Sequence, residues 1–375
     1  MQSLSDKTKG TLQVGDLGVS FIRTCRVPVG RSNSLPAGLG EFPVYKVSDF
    51  KSGVPSEWYE DGLFFPMYKS EAMWMNFSRY NKQPNALIVA AGNINAVSGK
   101  PFDLTKNKFD KRRKSKASGL DIKLEKDNYL VVPPQPWLDG WKSEDGKVYQ
   151  FVAAEMGSGE TVEGQITGEE KIGGIQLVAY GPKPGTKLIH ETRPHEFISG
   201  GGIGGFYSEE SFGSSSGLDF SDGAGPQIMS FASSRSLARK GLSSENHRVG
   251  SSVQAMGLGR GGEIIQKVYP DPYGLDVWEA QPLSVSRVYL VSSQDFKQIT
   301  GHDAPKTPIT YETYQKHGLP WFDLYDENYK DTKGSGVFDK LKPVSDGPST
   351  SLVSVDKDCK TKPKKLDKKV FSIFN

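Results

Sequence analysis

Cysteine is nearly missing from this chain. The two present, Cys25 and Cys359, stand near opposite ends of 375 residues, too few and too far apart for a disulfide framework. Long apolar runs are missing as well: the longest, 86–91, is strand-sized, far short of the roughly 18 to 20 residues of a membrane-spanning helix, so no membrane insertion is expected. A large excess of either charge is lacking too, with 47 Lys and Arg against 44 Asp and Glu, a net +3. Ten Lys and six Asp fall in residues 331–375, a local +4, which leaves everything before them at about −1. A near-neutral body argues against a general nucleic-acid binder and permits association with its own copies. The first ten residues, MQSLSDKTKG, hold no apolar stretch of the signal-peptide kind, so none is expected there.

A local catalytic set is equally hard to find. Residues 213–217 spell GSSSG and put Ser215 at the centre of a nucleophile-elbow pattern, but they sit in a low-complexity run with no strand before and no helix after. His190 and His195 lie in HETRPH, where the spacing is one residue too long for a zinc-protease helix and Pro194 would break it. His247, His302 and His317 are scattered, so no metal and no cofactor are expected. The stretch GLGRGG at 257–262 precedes a strand instead of joining a strand to a helix, and reads as a turn. Glu169 and Glu170, and Asp323, Asp326 and Glu327, have no spacing that marks glycosidase acids or calcium ligands. Asn76 opens an N-glycosylation sequon, but its neighbours Met73, Trp74, Met75 and Phe77 point to burial.

What the chain does have is glycine, proline and aromatic residues. With 42 Gly, 23 Pro and 11% aromatics it favours many short strands around a substantial core. Period-two alternation predicts strands at 17–27, 43–47, 86–91, 129–132, 148–153, 161–167, 174–180, 263–269 and 286–292. Helices are expected only as short pieces: 71–77, a turn capped by Ser293 and stopped at Gly301, and YETYQKH capped by Thr310. The fold class is therefore mainly β, a β-sandwich or jelly-roll-like body with a few short helices.

Composition divides this body. A β-rich first part spans 1–190, and a Gly/Ser-rich insert, with 15 Ser and 11 Gly, spans 191–252. A second β-rich part with short helices spans 253–330, and a Lys-rich tail spans 331–375, with VFSIF near its end as a candidate edge strand. The run KNKFDKRRKSK at 106–116 reads as an exposed basic loop. Cys25 falls in an alternating apolar stretch and reads as a buried thiol. Cys359, among Lys357, Lys360 and Lys362, is the better candidate for an intermolecular disulfide, because those cations favour its thiolate. Trp58, Trp137, Trp141 and Trp321 could stack on a carbohydrate or pack in the core, and core packing is the expectation.

The blocks LPAGLGEFPVYKVSDF, GLFFPMYKSEAMWMNF, NINAVSGKPF, YLVVPPQPWLDG, QFVAAEMGSGETVEGQITGEEKIGGIQLVAYGPKPG, AMGLGRGGEIIQKVYPDPYGLDVWE and GLPWFDLYDE carry a resemblance. They resemble a family of bacterial proteins of unassigned function whose fungal members include the protein of octahedral vacuolar crystals in mucoralean fungi. The resemblance implies no enzyme and no transferable catalytic residues. What it implies is a self-assembling structural protein, partnered with copies of itself in dense vacuolar crystals that sediment and serve gravity sensing. Without it, the residues also allow a non-catalytic ligand-binding β-sandwich, possibly for carbohydrate.

Overall fold

A computed structural model describes residues 10–79, 83–102, 104, 122–188, 253, 255–306, 310–322 and 329–345. These residues are mainly β. The first strands are β1 (Thr11–Val14), β2 (Leu17–Thr24), β3 (Ser32–Asn33), β4 (Leu35–Pro36), β5 (Gly38–Glu41) and β6 (Tyr45–Lys46). Next come β7 (Leu63–Met67), β8 (Ala72–Arg79), β9 (Asn85–Ala91), β10 (Ile94–Asn95), β11 (Leu130–Val132), β12 (Trp137–Leu138) and β13 (Gly140–Lys142). The last are β14 (Val148–Glu155), β15 (Ile175–Tyr180), β16 (Ala255–Ile264), β17 (Ser284–Ser292) and β18 (Trp321–Phe322). Three short helices join them: α1 (Val162–Thr167), α2 (Ser293–Thr300) and α3 (Tyr311–Lys316).

Sixteen strands share one sheet, and β4 pairs with β18 apart from it. Every pairing is antiparallel except β3 on β16 and β7 on β17. The sheet forks at β17. Val288 pairs with Ile175 of β15 and Leu63 of β7, whereas Leu290 pairs with Met256 of β16 and Phe65 of β7. With β7 on one side from Val288 to Ser292, β15 and β16 occupy successive stretches of the other side and must then part. One limb continues from β15 to β9, the other from β16 through β14 and β8 to β2 and β1.

The limbs enclose one apolar core. Leu17, Val19 and Phe21 from β2, Met73 and Met75 from β8 and Phe151 from β14 meet Leu87 and Val89 from β9, Leu177 from β15 and Leu290 from β17. These are alternate residues of each strand, so the period-two pattern in the sequence is the imprint of this face. The other faces are covered too. Ile22, Cys25, Trp74 and Trp137 pack under Tyr314 of α3, Ile88 and Val178 pack under Trp278, and Phe64 packs under Phe296 of α2. Strands β2, β9 and β15 are consequently buried along their whole length.

Double burial explains two differences from the expected elements. Residues 71–77 form a strand, not a helix: Met73 and Met75 face the central core while Trp74 faces the outer cluster, and a run apolar on both faces has no period to distinguish the two states. GLGRGG lies inside β16, not in a turn. A Cβ on Gly259 would come within 2.5 Å of the Glu160 carbonyl, and one on Gly262 within 2.4 Å of the Pro28 carbonyl, so these glycines admit neighbouring backbone. The expected strand at 161–167 is helix α1, because Thr161 accepts a hydrogen bond from the Gly164 amide and Gly168 closes the turn at φ 80°. Helix α3 has the expected Thr310 cap, and α2 ends at Gly301 as expected, but its cap is Ser292 and not Ser293.

The head of the segment read as tail belongs to the body. Phe338 and Leu341 enter the central core, and Val344 packs on Ala72, Val152 and Ala154. The segment 331–345 has few apolar residues, but these three are buried, so low apolar content did not make it a tail. The insert at 191–252, the basic run at 106–116, VFSIF and Cys359 lie outside the described residues, as do Ser215, His190, His195, His247, Asp323, Asp326 and Glu327.

Candidate functional site

The most chemically loaded part of the body is a polar seam built on PPQPWLDGWK, residues 133–142. Here the chain leaves β8 for β14. Trp137 and Leu138 pair with Asn76 and Met75, and Gly140 to Lys142 then pair with Gln150 to Val148. Asp139 stands at the changeover. Its carbonyl accepts from the Phe151 amide at 3.0 Å, and its own amide donates to Gln266 Oε1 at 3.0 Å.

Backbone amides and carbonyls absorb most of the seam's polar side chains. Gln266 and Gln135 both donate to the Trp137 carbonyl, and Gln135 accepts from the Tyr269 amide. Lys142 is fully buried, and its ammonium donates to Asp331 at 2.7 Å and to the Gly146 carbonyl at 2.9 Å. Burial holds that lysine's pKa below its ordinary value, against the opposing pull of Asp331. Asp331 also accepts from the Val268 amide, so one carboxylate ties strand, loop and the 331–345 segment together. Asp139 is different. Its Oδ2 accepts from Trp137 Nε1 at 3.1 Å, its Oδ1 has no partner, and burial pushes its pKa up to about 8.

Other acids hold turns. Glu163, buried, accepts from the amides of Lys171, Ile172 and Gly173 at 2.8 to 2.9 Å. Glu170 accepts from the Gly159 and Thr161 amides and from the Thr161 hydroxyl, while Glu169 pairs in solvent with Lys171. Glu71, fully buried, pairs with Arg23 at 2.9 Å and accepts from the Tyr68 amide, and burial raises its pKa against both. Nothing in the local sequence around these acids marks the amides they hold.

Cys25 is a buried free thiol. Burial, with a smaller contribution from Glu312, raises its pKa far above the thiol range. An intermolecular bond at Cys25 would need the cluster around it to open. Trp58, Trp137 and Trp141 are buried, Trp141 between Phe151 and Phe338, so none presents a face for stacking. Trp321 is half-buried against Tyr311 and Tyr314. Asn76 is buried in β8, which removes its sequon from the surface. His302 is exposed beside Tyr45, and His317 ends α3.

Among the described residues, four large apolar side chains face solvent: Val29, Ile265, Leu275 and Leu283. Val29 and Ile265 lie near β3, whose Asn33 carbonyl accepts from the Ile265 amide. Leu275 and Leu283 flank the bridge between Pro182 and Trp278. An open groove of about 440 Å³ lies where 337–342 crosses α1, with Ile166 and Leu341 in its floor and Lys340 and Lys342 beside them. No described helix is long and apolar enough to cross a membrane. Comparisons with protein-family models, with curated proteins and with solved structures found no match for this chain.

Proposed function

We propose that this chain is a self-assembling structural protein, non-catalytic, whose copies pack into dense vacuolar crystals that sediment and serve gravity sensing. The reading extends the resemblance to the bacterial family and its fungal crystal protein, OCTIN. One observation carries it furthest: several acids of the resembling blocks, and Lys142 just after one block, are engaged in holding the fold. Glu71, Glu163, Glu170, Asp139 and Lys142 each bond to backbone or to another buried group of the body. The exposed pairs Val29 with Ile265 and Leu275 with Leu283 supply apolar contact on a near-neutral surface. Contacts between unlike patches run head-to-tail, and they propagate wherever their rotation does not close a ring. With Cys25 sealed inside, a covalent lock between copies falls to Cys359.

Light scattering on purified protein from about pH 4 to about pH 8, with and without a thiol reductant, tests this reading. Large particles that shrink on reduction, and that Ile265→Lys and Leu283→Lys suppress, are the expected outcome. A monomer under every condition overturns it.

A further inference from the structure

Three of the buried polar atoms without partners belong to the seam and to the strand paired with it: Trp74 Nε1, Asn76 Oδ1 and Asp139 Oδ1. The register brings them close. Asn76 pairs with Trp137 and Met75 with Leu138, so the next step along the same antiparallel pair sets Trp74 opposite Asp139. Trp137 Nε1 donates to Asp139 Oδ2, which fixes the carboxyl on the face that Trp137 shares with Trp74 in the outer apolar cluster. Asn76 Oδ1 can only accept, Trp74 Nε1 can only donate, and Asp139 Oδ1 can do either, depending on whether it carries a proton.

We propose that Asp139 is a proton switch that exchanges partners along β8, donating to Asn76 Oδ1 when protonated and accepting from Trp74 Nε1 when ionised. In the step between the two states the Oδ1–H bond breaks, the proton leaves to bulk water, and Oδ1 keeps the electron pair. The donor it then needs is the indole N–H opposite it. Each state satisfies one of the two β8 atoms and leaves the other unpaired, so the energies of the two arrangements stay close enough to switch. The elevated pKa of about 8 sets the point of exchange. Lys142 lies three residues on, its ammonium turned to Asp331 and to the Gly146 and Gln266 carbonyls. Cys25 and Tyr314 share the cluster, and Glu312 lies near Cys25.

The linkage has a definite sign. A carboxyl with a folded pKa of about 8 and an ordinary value of 3.8 binds more protons folded than unfolded between these limits. Its stabilising contribution is complete below the lower value and is lost as pH rises to the upper one. Acid conditions therefore favour the folded state through this carboxyl.

The test is an indole ¹H–¹⁵N spectrum of the full chain from about pH 6 to about pH 10, with the Trp74 resonance assigned from Trp74→Phe. The Trp74 N–H should move downfield through a midpoint near that pKa, and Asp139→Asn should hold it at its low-pH position. A Trp74 resonance that stays flat in the wild type, or that titrates equally in Asp139→Asn, overturns the proposal. The wild-type Asp139 carboxyl ¹³C shift serves if the variant does not fold: a carboxyl already ionised at about pH 6 also overturns it.

Discussion

The central core and the polar seam are both buried, and they are held by opposite means. Between the limbs, Phe21, Leu87, Phe151 and Leu290 are apolar on every side, and their stability grows with area removed from water. In the seam, Asp139, Lys142, Gln135 and Gln266 are as deeply buried, and each is tolerable only because a specific partner answers it. The core tolerates conservative repacking, while the seam depends on particular atoms in particular places. That difference explains why an aromatic and aliphatic alternation suffices to write the first region, whereas the second rests on particular polar residues and on distant partners such as Gln266 and Asp331.

Trp141 joins the two regions and gives the largest effect. It is fully buried between Phe151 and Phe338, and its indole N–H donates to the Gly259 carbonyl. Trp141→Ala should cost about 3–5 kcal/mol, read from the urea midpoint, and a loss under about 1 kcal/mol would mean that the limbs close over the gap. The seam itself weakens at Asp331→Asn, which removes the carboxylate paired with the buried Lys142 ammonium and leaves it the Gly146 and Gln266 carbonyls. We expect a loss of about 3 kcal/mol, largely restored by adding Lys142→Met; a double variant no better than the single would show that the pair is not the reason for the loss.

Two smaller effects sharpen the contrast. Ile265→Lys and Leu283→Lys remove exposed apolar groups and should shift stability by no more than about 0.5 kcal/mol while lowering light scattering, which separates surface from core. In a Cys359→Ser background, Cys25 should resist a thiol reagent until the chain unfolds. Fast labelling of the folded protein would place Cys25 in a region that opens locally, unlike the core beside it.

Most long strands were legible because one face of each lines the central core and leaves a period of two. The element at 71–77 was not, since Met73 and Trp74 are buried on opposite faces and a run apolar throughout carries no alternation. The segment 331–345 was hidden by its lysines, which stay at the surface while Phe338, Leu341 and Val344 turn inward. In the candidate site the tryptophans and acids were visible as residues, but their partners were not. Lys142 meets Asp331 across 189 positions, and local sequence has no term for such a contact.

The mainly β class and the cap of α3 through Thr310 were readable from local sequence, whereas Thr161, which caps α1, reads there as part of a strand. The class and the Thr310 cap follow from interactions within a few residues: alternation, and a hydroxyl reaching a nearby amide. Only the tertiary structure shows that GLGRGG is a strand, that Phe338, Leu341 and Val344 belong to the body and that Asp139 is buried. Each of these depends on which distant backbone or side chain comes to fill the space, and on how far that neighbour keeps water away.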